Sequence, residues 1–300
     1  MKISEILNSR PLTASCEIFP PKKDADFAGV QHAAEEIAAI GPDFISVTYG
    51  AGGGTSRNTV KIASHIERWT GVTALAHLSC LSSTREEIAA ILQELREREI
   101  ENILALRGDR PTDGAPVGNH YEYAYELVRE IRSAGDFCIG AACYPEGHIE
   151  CPSKEEDLVH LKQKVDCGCD FLTTQVFFDN SVLYSFLYRA LAKNIDVPVL
   201  AGVMPVTNAK QIKRICALSG TSLPPRFRSI IDRFGDKPAA MKQAGIAYAT
   251  EQIIDLIANG VKGIHLYTMN KPDVARAIFD NLSHILREID GLPASVREQL

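Results

Sequence analysis

Eight short apolar runs, each followed by a segment with helical spacing, recur along the chain, and this alternation limits the fold more than any other feature. The runs end at Phe19, Thr48, Leu78, Leu106, Cys143, Val176, Val203 and Tyr267. Between them, apolar residues return at helical intervals, as with Phe27, Val30, Ala34 and Ile37 ahead of the Gly41-Pro42 stop. Thr84 and Ser153 are N-caps of two such helices, and Glu155 and Glu156 fill the first turn of the second. Strand–helix–strand repetition predicts parallel βαβ units with right-handed crossovers.

A length of 300 residues fits two domains or one closed β/α barrel. No linker or change of composition interrupts the repeat, so the expected fold is α/β, an eight-fold β/α (TIM) barrel forming a single domain over 1–300. Residues 1–12 read as an N-terminal helix and 290–300 as a C-terminal tail. The stretch from Leu223 to Phe234, with Pro224-Pro225, reads as an insertion before a long helix from Pro238 to Asn259.

Composition narrows the function. The net charge of −6 gives no reason to expect nucleic acid as a partner. No apolar run approaches the roughly 18 residues of a membrane span, and the N-terminus lacks the apolar core of a signal peptide. Eight cysteines include no C-x-x-C pair, and Cys167-Gly-Cys169 alone is a poor metal signature, so no metal is expected. Reduced thiols in a cytoplasm are the simple reading.

The first strand stops at Pro20-Pro21, which cannot donate ladder hydrogen bonds, and just before that stop lies one carboxylate, Glu17. A carboxylate in an apolar strand end is costly unless it is hydrogen-bonded or at work. In a β/α barrel the site lies at the C-terminal strand ends. There the chain presents Glu17, Thr48-Tyr49, His77, Arg107-Gly108-Asp109, Tyr144 with His148, Gln175, Pro205 with Asn208, and Tyr267 with Asn270. Taken singly, each has a plain alternative: a core histidine for His77, an ion pair with Arg107 for Asp109, a polar barrel layer for Gln175. Their convergence on one end favours a site. The glycine-rich stretch Gly50 to Gly54 lacks the context of a dinucleotide fingerprint and is either a tight turn or a place where backbone approaches a ligand.

These stretches, in order, resemble methylenetetrahydrofolate reductases of the bacterial, catalytic-domain-only kind. The likeness rests on Glu17-Ile18-Phe19-Pro20-Pro21-Lys22, Val47-Thr48-Tyr49-Gly50-Ala51-Gly52, His77-Leu78-Ser79-Cys80 and Ala105-Leu106-Arg107-Gly108-Asp109. It continues through Ala142-Cys143-Tyr144-Pro145-Glu146-Gly147-His148, Lys164 to Asp170, Thr174 to Asp179, Val203-Met204-Pro205-Val206 and His265 to Asn270. The resemblance implies non-covalent FAD and reduction of 5,10-methylenetetrahydrofolate to 5-methyltetrahydrofolate, with NADH or NADPH as co-substrate. Reduced folate and nicotinamide dinucleotide are then the small-molecule partners. A homo-oligomer fits the exposed helix faces, though no patch decides it. Regulation by S-adenosylmethionine is not expected without the eukaryotic C-terminal domain.

By the same resemblance Glu17 is the general acid. Protonating N10 opens the closed aminal of the substrate to a 5-iminium cation, which accepts hydride from flavin N5. General acid catalysis by a carboxyl needs surroundings that favour its protonated form. Asp109 falls where the family has an aspartate near flavin and pterin. Its charge would support the cation and disfavour excess negative charge on reduced flavin. For FAD the resemblance carries over to Thr48 after the second strand, His77 in the third, and Arg107, Gly108 and Asp109 after the fourth. It adds Tyr123 and Ala124 at the next helix, Ala142, Tyr144 and His148 around the end of the fifth strand, and Asp157 and Lys164 in the helix that follows. Arg107 and Lys164 suit the pyrophosphate. Glu17, Gln175, Tyr267 and Lys271 fall where the family binds folate or nicotinamide. His160 and Gln163 replace an Asn and an Arg of some members, and Ala209 replaces a Phe of many. The last change keeps open a flavoprotein subunit fed by a partner electron donor; a flavin-free barrel enzyme using Glu17 and Asp109 is the other alternative.

Overall fold

A computed structural model of the chain describes residues 1–21, 26–49, 56–110 and 120–290. The glycine-rich stretch 50–54, the end of the first motif from 22, and the tail 291–300 lie outside the described residues. Eight parallel strands close into a barrel in chain order, with the first paired to the eighth. They are β1 (Thr13–Ile18), β2 (Phe44–Val47), β3 (Thr73–Ser79), β4 (Asn102–Leu106), β5 (Cys138–Cys143), β6 (Phe171–Thr174), β7 (Val199–Val203) and β8 (Gly263–Tyr267). The predicted single alternation holds through the sixth crossover.

Ahead of β1 stands α1 (Ile3–Ser9), shorter than the expected 1–12 helix. Six crossover helices follow: α2 (Phe27–Ala38), α3 (Ser56–His65), α4 (Arg85–Glu97), α5 (Ala124–Ala134), α6 (Lys154–Asp166) and α7 (Asn180–Leu191). The last turn of the third, Ile66–Thr70, widens to a π-helix. Both predicted caps form. Thr84 Oγ1 accepts from Glu87 N at 3.1 Å while Glu87 returns a bond to Thr84 N, and Ser153 Oγ accepts from Glu156 N at 3.1 Å.

Between β7 and β8 the chain forms three helices, α8 (Ala209–Ser219), α9 (Pro225–Phe234) and α10 (Pro238–Ala258); the stretch read as an insertion is itself the middle helix. The Pro224-Pro225 pair, read as part of an insertion, opens a helix, and Pro238 starts the long helix as expected. Pro225 and Pro238 lie in the first turns, where a missing N–H costs nothing. These helices build a separate apolar cluster around Phe178, Phe227 and Met241, with Phe227 stacked on Phe178 at 5.1 Å and on Tyr248 at 4.4 Å. The last described element is α11 (Pro272–Asp290).

Inside the barrel the floor is apolar. Phe44, Leu75, Leu104, Cys138, Phe171 and Leu200 meet Ile3 and Ile6 of α1, which plugs the N-terminal end. Asn102 fastens that plug, accepting from Ile3 N at 2.8 Å and donating to Met1 O at 3.0 Å. All eight cysteines are free thiols. Among the described residues no helix is long and apolar enough to cross a membrane.

Candidate functional site

Side chains alternate across a strand, so a strand that aims Glu17 into the lumen also aims Ser15 there, and one that aims Tyr267 inward also aims His265. The two strands are neighbours, with Glu17 beside Tyr267 in the register. The result is a buried polar cluster just below the barrel mouth. Glu17 Oε2 lies 3.5 Å from His265 Nε2 and 3.6 Å from His77 Nε2, and it accepts from Ser46 Oγ at 3.4 Å. Ser15 Oγ meets the other face of His265 at Nδ1, 2.8 Å away. Glu17 and both imidazoles are at most 6% exposed.

Burial pushes the His77 imidazole down to about 4 against the pull of Glu17, so it is neutral at neutral pH. Its Nε2 has no hydrogen-bond partner among the described residues. A buried orphan nitrogen at this end of the barrel, beside Glu17, is a place for a ligand atom.

The strand end that carries Glu17 is held from β8. Thr268 Oγ1 donates to Glu17 O at 2.6 Å, and Asn270 brackets Phe19, accepting from its N at 2.8 Å and donating to its O at 2.9 Å. Met269 and Asn270 lie at φ 55° and 53°, a left-handed pair in non-glycine residues that stores strain at this end of the barrel. Tyr267 lies across the lumen with its hydroxyl donating to Thr174 O at 2.6 Å. Only glycine fits beneath it, since a Cβ on Gly202 would come within 2.7 Å of that hydroxyl. Burial raises the Tyr267 phenol well above its ordinary range.

Gln175 follows β6 and turns its carbonyl to Val176 N at 2.9 Å. Lys271 reaches Thr207 Oγ1 at 2.8 Å, tying the loops after β8 and β7. Thr48 continues β2 by donating its N–H to Ile18 O at 3.0 Å.

A second group of expected residues gathers beside the mouth, in a cleft of about 350 Å³ between the ends of β4 and β5 and the helices α5 and α6. Arg107, Tyr123, Ala124, Ala142, Tyr144, His148, Asp157 and Lys164 all line it. Lys164 is half-buried and donates to Ala142 O, beneath the Tyr144 ring. Burial lowers this ammonium and raises the Asp157 carboxyl, each opposed by the other's charge. Tyr123 is stacked between Tyr125 at 5.6 Å and His160 at 4.9 Å. His160 in turn meets Gln163 at 3.2 Å, so the two departures from the family pattern touch each other.

The structure thus divides the expected site. Glu17, His77 and Tyr267 share the lumen cluster, and the cation-bearing residues share the cleft. Asp109 joins neither set of lining residues; it is exposed, with Arg107 and Tyr144 as its electrostatic neighbours. Gly108 makes the turn before it at φ 90°, where a Cβ would meet Ser79 Oγ at 2.2 Å. Sequence reasoning gave no role to His265, Ser15, Ser46 or Glu150. Strand alternation from Glu17 and Tyr267 would have found the first two. Nothing local marks Glu150, whose place depends on a loop.

A closed parallel barrel with a buried carboxyl among imidazoles at its C-terminal mouth, and a cation-bearing cleft alongside, has the layout of a β/α-barrel enzyme. Comparison with known proteins agrees. The model of the family "Methylenetetrahydrofolate reductase" matches residues 2–283, and the chain belongs to that family. It is 35% identical over 271 residues to the 5,10-methylenetetrahydrofolate reductase of Pectobacterium carotovorum subsp. carotovorum and 34% identical over 271 residues to that of Escherichia coli, covering 90% of each protein and of itself. It is 34% identical over 298 residues to methylenetetrahydrofolate reductase (NADH) 1 of Arabidopsis thaliana, spanning 95% of this chain and 50% of the plant protein. Among solved structures, a Clostridium thermocellum protein described as binding two copies of 5-methyl-5,6,7,8-tetrahydrofolic acid superimposes with a TM-score of 0.64. That match covers 94% of this chain and 100% of the other at 14% identity, a likeness of fold. Family membership supports methylenetetrahydrofolate reduction as the activity.

Proposed function

We propose that the chain reduces 5,10-methylenetetrahydrofolate to 5-methyltetrahydrofolate with electrons from reduced nicotinamide, using non-covalent FAD, and that Glu17 is the acid. The observation that carries this reading is the Glu17 carboxyl buried within 3.6 Å of two imidazoles at the barrel mouth. The cleft residues fit a flavin dinucleotide in kind. Half-buried Lys164 and the guanidinium of Arg107 suit a diphosphate and the Tyr123 stack suits a purine, while the orphan His77 Nε2 in the neighbouring lumen suits a ring edge. Bound FAD would supply the two-electron carrier between nicotinamide and folate.

The protein's own contribution is to the proton and the charge. Glu17 presents a carboxyl to the substrate's N10, and loss of the C–N10 bond leaves a 5-iminium cation at the mouth. His265 and Ser46 hold Glu17 Oε2, so the acid stays aimed while its proton moves. The backbone bond from Thr268 fixes the strand end beneath it. Neutral His77 adds no positive charge against the cation. Gln175, Tyr267 and Lys271 bind the substrate's polar edges, as their carbonyl, phenol and ammonium groups allow. The protein works in a cytoplasm on this reading.

An anaerobic visible spectrum before and after NADH, and then after methylenetetrahydrofolate, tests the proposal. The expected result is a flavin spectrum that bleaches with NADH and returns with the folate. A flavin that neither NADH nor NADPH bleaches, yet folate reoxidises after dithionite, would replace nicotinamide with a partner donor. No flavin after FAD addition would overturn the cofactor assignment.

A further inference from the structure

The guanidinium best placed for a ligand phosphate is already engaged. Arg107 donates both terminal nitrogens to Glu150, at 2.8 and 2.9 Å, in a fork-to-fork pair. Its Nε donates to Gly108 O at 3.1 Å. Arg110 Nε reaches the same Glu150 Oε2 at 3.3 Å. Two parallel bonds to two oxygens is also how a guanidinium receives a phosphate.

The two partners are not equally fixed. The Arg107 carbonyl accepts from Leu81 N at 2.8 Å and Ser79 Oγ at 3.0 Å, and its side chain is 17% exposed. Glu150 sits on the loop after β5 with a side chain 38% exposed. Its backbone N–H donates to His148 Nδ1 at 3.1 Å, so the side chain can rotate away while the loop stays attached. If the pair broke, the carboxylate is the member that would leave.

Charge gives it a reason to leave. The cleft is lined by the cations Arg107, Arg110 and Lys164 and by four carboxylic acids, Glu122, Glu150, Glu156 and Asp157. A diphosphate entering beside a Glu150 still on Arg107 would meet a like charge in a partly desolvated place, which is costly.

We infer that Glu150 is an internal stand-in for the cofactor's diphosphate: it holds the Arg107 fork in the geometry of phosphate binding and gives it up on cofactor entry, so that it sets cofactor affinity by competition. The inference rests on the FAD reading above. Relief of one competing, half-exposed ion pair and one like charge is worth about a tenfold change in affinity.

Dilution of the full-length FAD-loaded protein, followed by the recovery of free-flavin fluorescence, measures the dissociation constant; stopped-flow mixing measures the association rate. Glu150→Gln and Glu150→Ala should each bind FAD about tenfold more tightly, mainly through faster association. Glu156→Gln, at another cleft carboxyl, should change affinity less than about twofold. An unchanged or weaker constant for both Glu150 variants, folded by circular dichroism, would overturn the inference and leave Glu150 as a brace for Arg107. An equal gain in Glu156→Gln would overturn it in favour of general charge. Failure of the wild-type chain to hold FAD at all would instead remove the cofactor reading, and this inference with it.

Discussion

The two ends of the barrel lumen are made by the same eight strands, yet they share almost no chemistry. At the floor, Phe44, Leu75, Leu104, Phe171 and Leu200 close on Ile3 and Ile6 from α1, and polar groups are few: Asn102 ties the plug to Ala74 O, and the Thr13 hydroxyl is buried. A few residues along the same strands, Ser15, Glu17, Ser46, His77 and His265 fill the lumen with groups whose mutual distances run from 2.8 to 3.6 Å. Burial at the floor is repaid by apolar contact. Burial at the mouth, where ionisable groups are concentrated, is offset only in part by hydrogen bonds, and the His77 nitrogen is left without one, as at the floor is the single Thr13 hydroxyl. The floor is therefore where this fold is stabilised, and the mouth is where stability has been given up for chemistry.

The largest expected effect tests the floor. Phe171 is fully buried among the plug residues, and Phe171→Ala should cost about 3–5 kcal/mol in urea unfolding. At a temperature where the variant remains folded, its rate of folate reduction should stay within a few-fold of the parent. A stable variant that has lost turnover would break the division between the ends.

Glu17→Gln makes the converse case. The amide keeps the shape and most hydrogen bonds but has no acidic proton. Folate-dependent reoxidation should slow by about two orders of magnitude or more, while reduction by nicotinamide proceeds at nearly the parental rate. Equal slowing of both half-reactions would show that the carboxyl serves the site's architecture and not a proton.

The same contrast explains how much was legible in the sequence. The strands were readable because their apolar runs are short and regular, and the β4 and β8 boundaries, Asn102 to Leu106 and Gly263 to Tyr267, came out as expected. Pro224-Pro225 misled because proline breaks a helix only from within; at the first turn it starts one, and α9 begins there. Glu17 was conspicuous as the one carboxylate in an apolar strand. His265 was hidden in plain view, because its role depends on a neighbour 248 positions away in sequence, which only barrel closure supplies. Glu150 depends on the course of a loop, for which periodicity has no rule.

A third prediction uses pH. The folded-state pKa of His77 is about 4, against an ordinary 6.5, so the unfolded chain binds the extra proton first as pH falls. Stability contributed by the neutral ring is complete above pH of about 6.5 and declines as pH drops toward 4. Urea titrations across that window should show a steeper loss for the parent than for His77→Gln, which cannot titrate. Parallel curves would mean that His77 is solvated or charged in the fold, and the mouth would then be less costly than the comparison with the floor requires.

The smallest effect concerns Asp109, which lies in neither the lumen cluster nor the cleft lining. It follows the Gly108 turn, is exposed, and has Arg107 and Tyr144 as charged or polar neighbours. If it acts on a bound flavin, it acts through water and across distance. A unit charge about 4 Å away in water is worth about 1 kcal/mol, which for a two-electron couple is on the order of 20 mV. Asp109→Asn should therefore raise the midpoint potential of the bound flavin by no more than that, and by less at high ionic strength. A shift several times larger, insensitive to salt, would place the carboxylate against the ring in a closed and desolvated site, and the boundary between mouth and cleft would move to include it. No shift, with folate turnover nonetheless lost, would assign Asp109 to holding the substrate, leaving the electronics of the site to the lumen cluster.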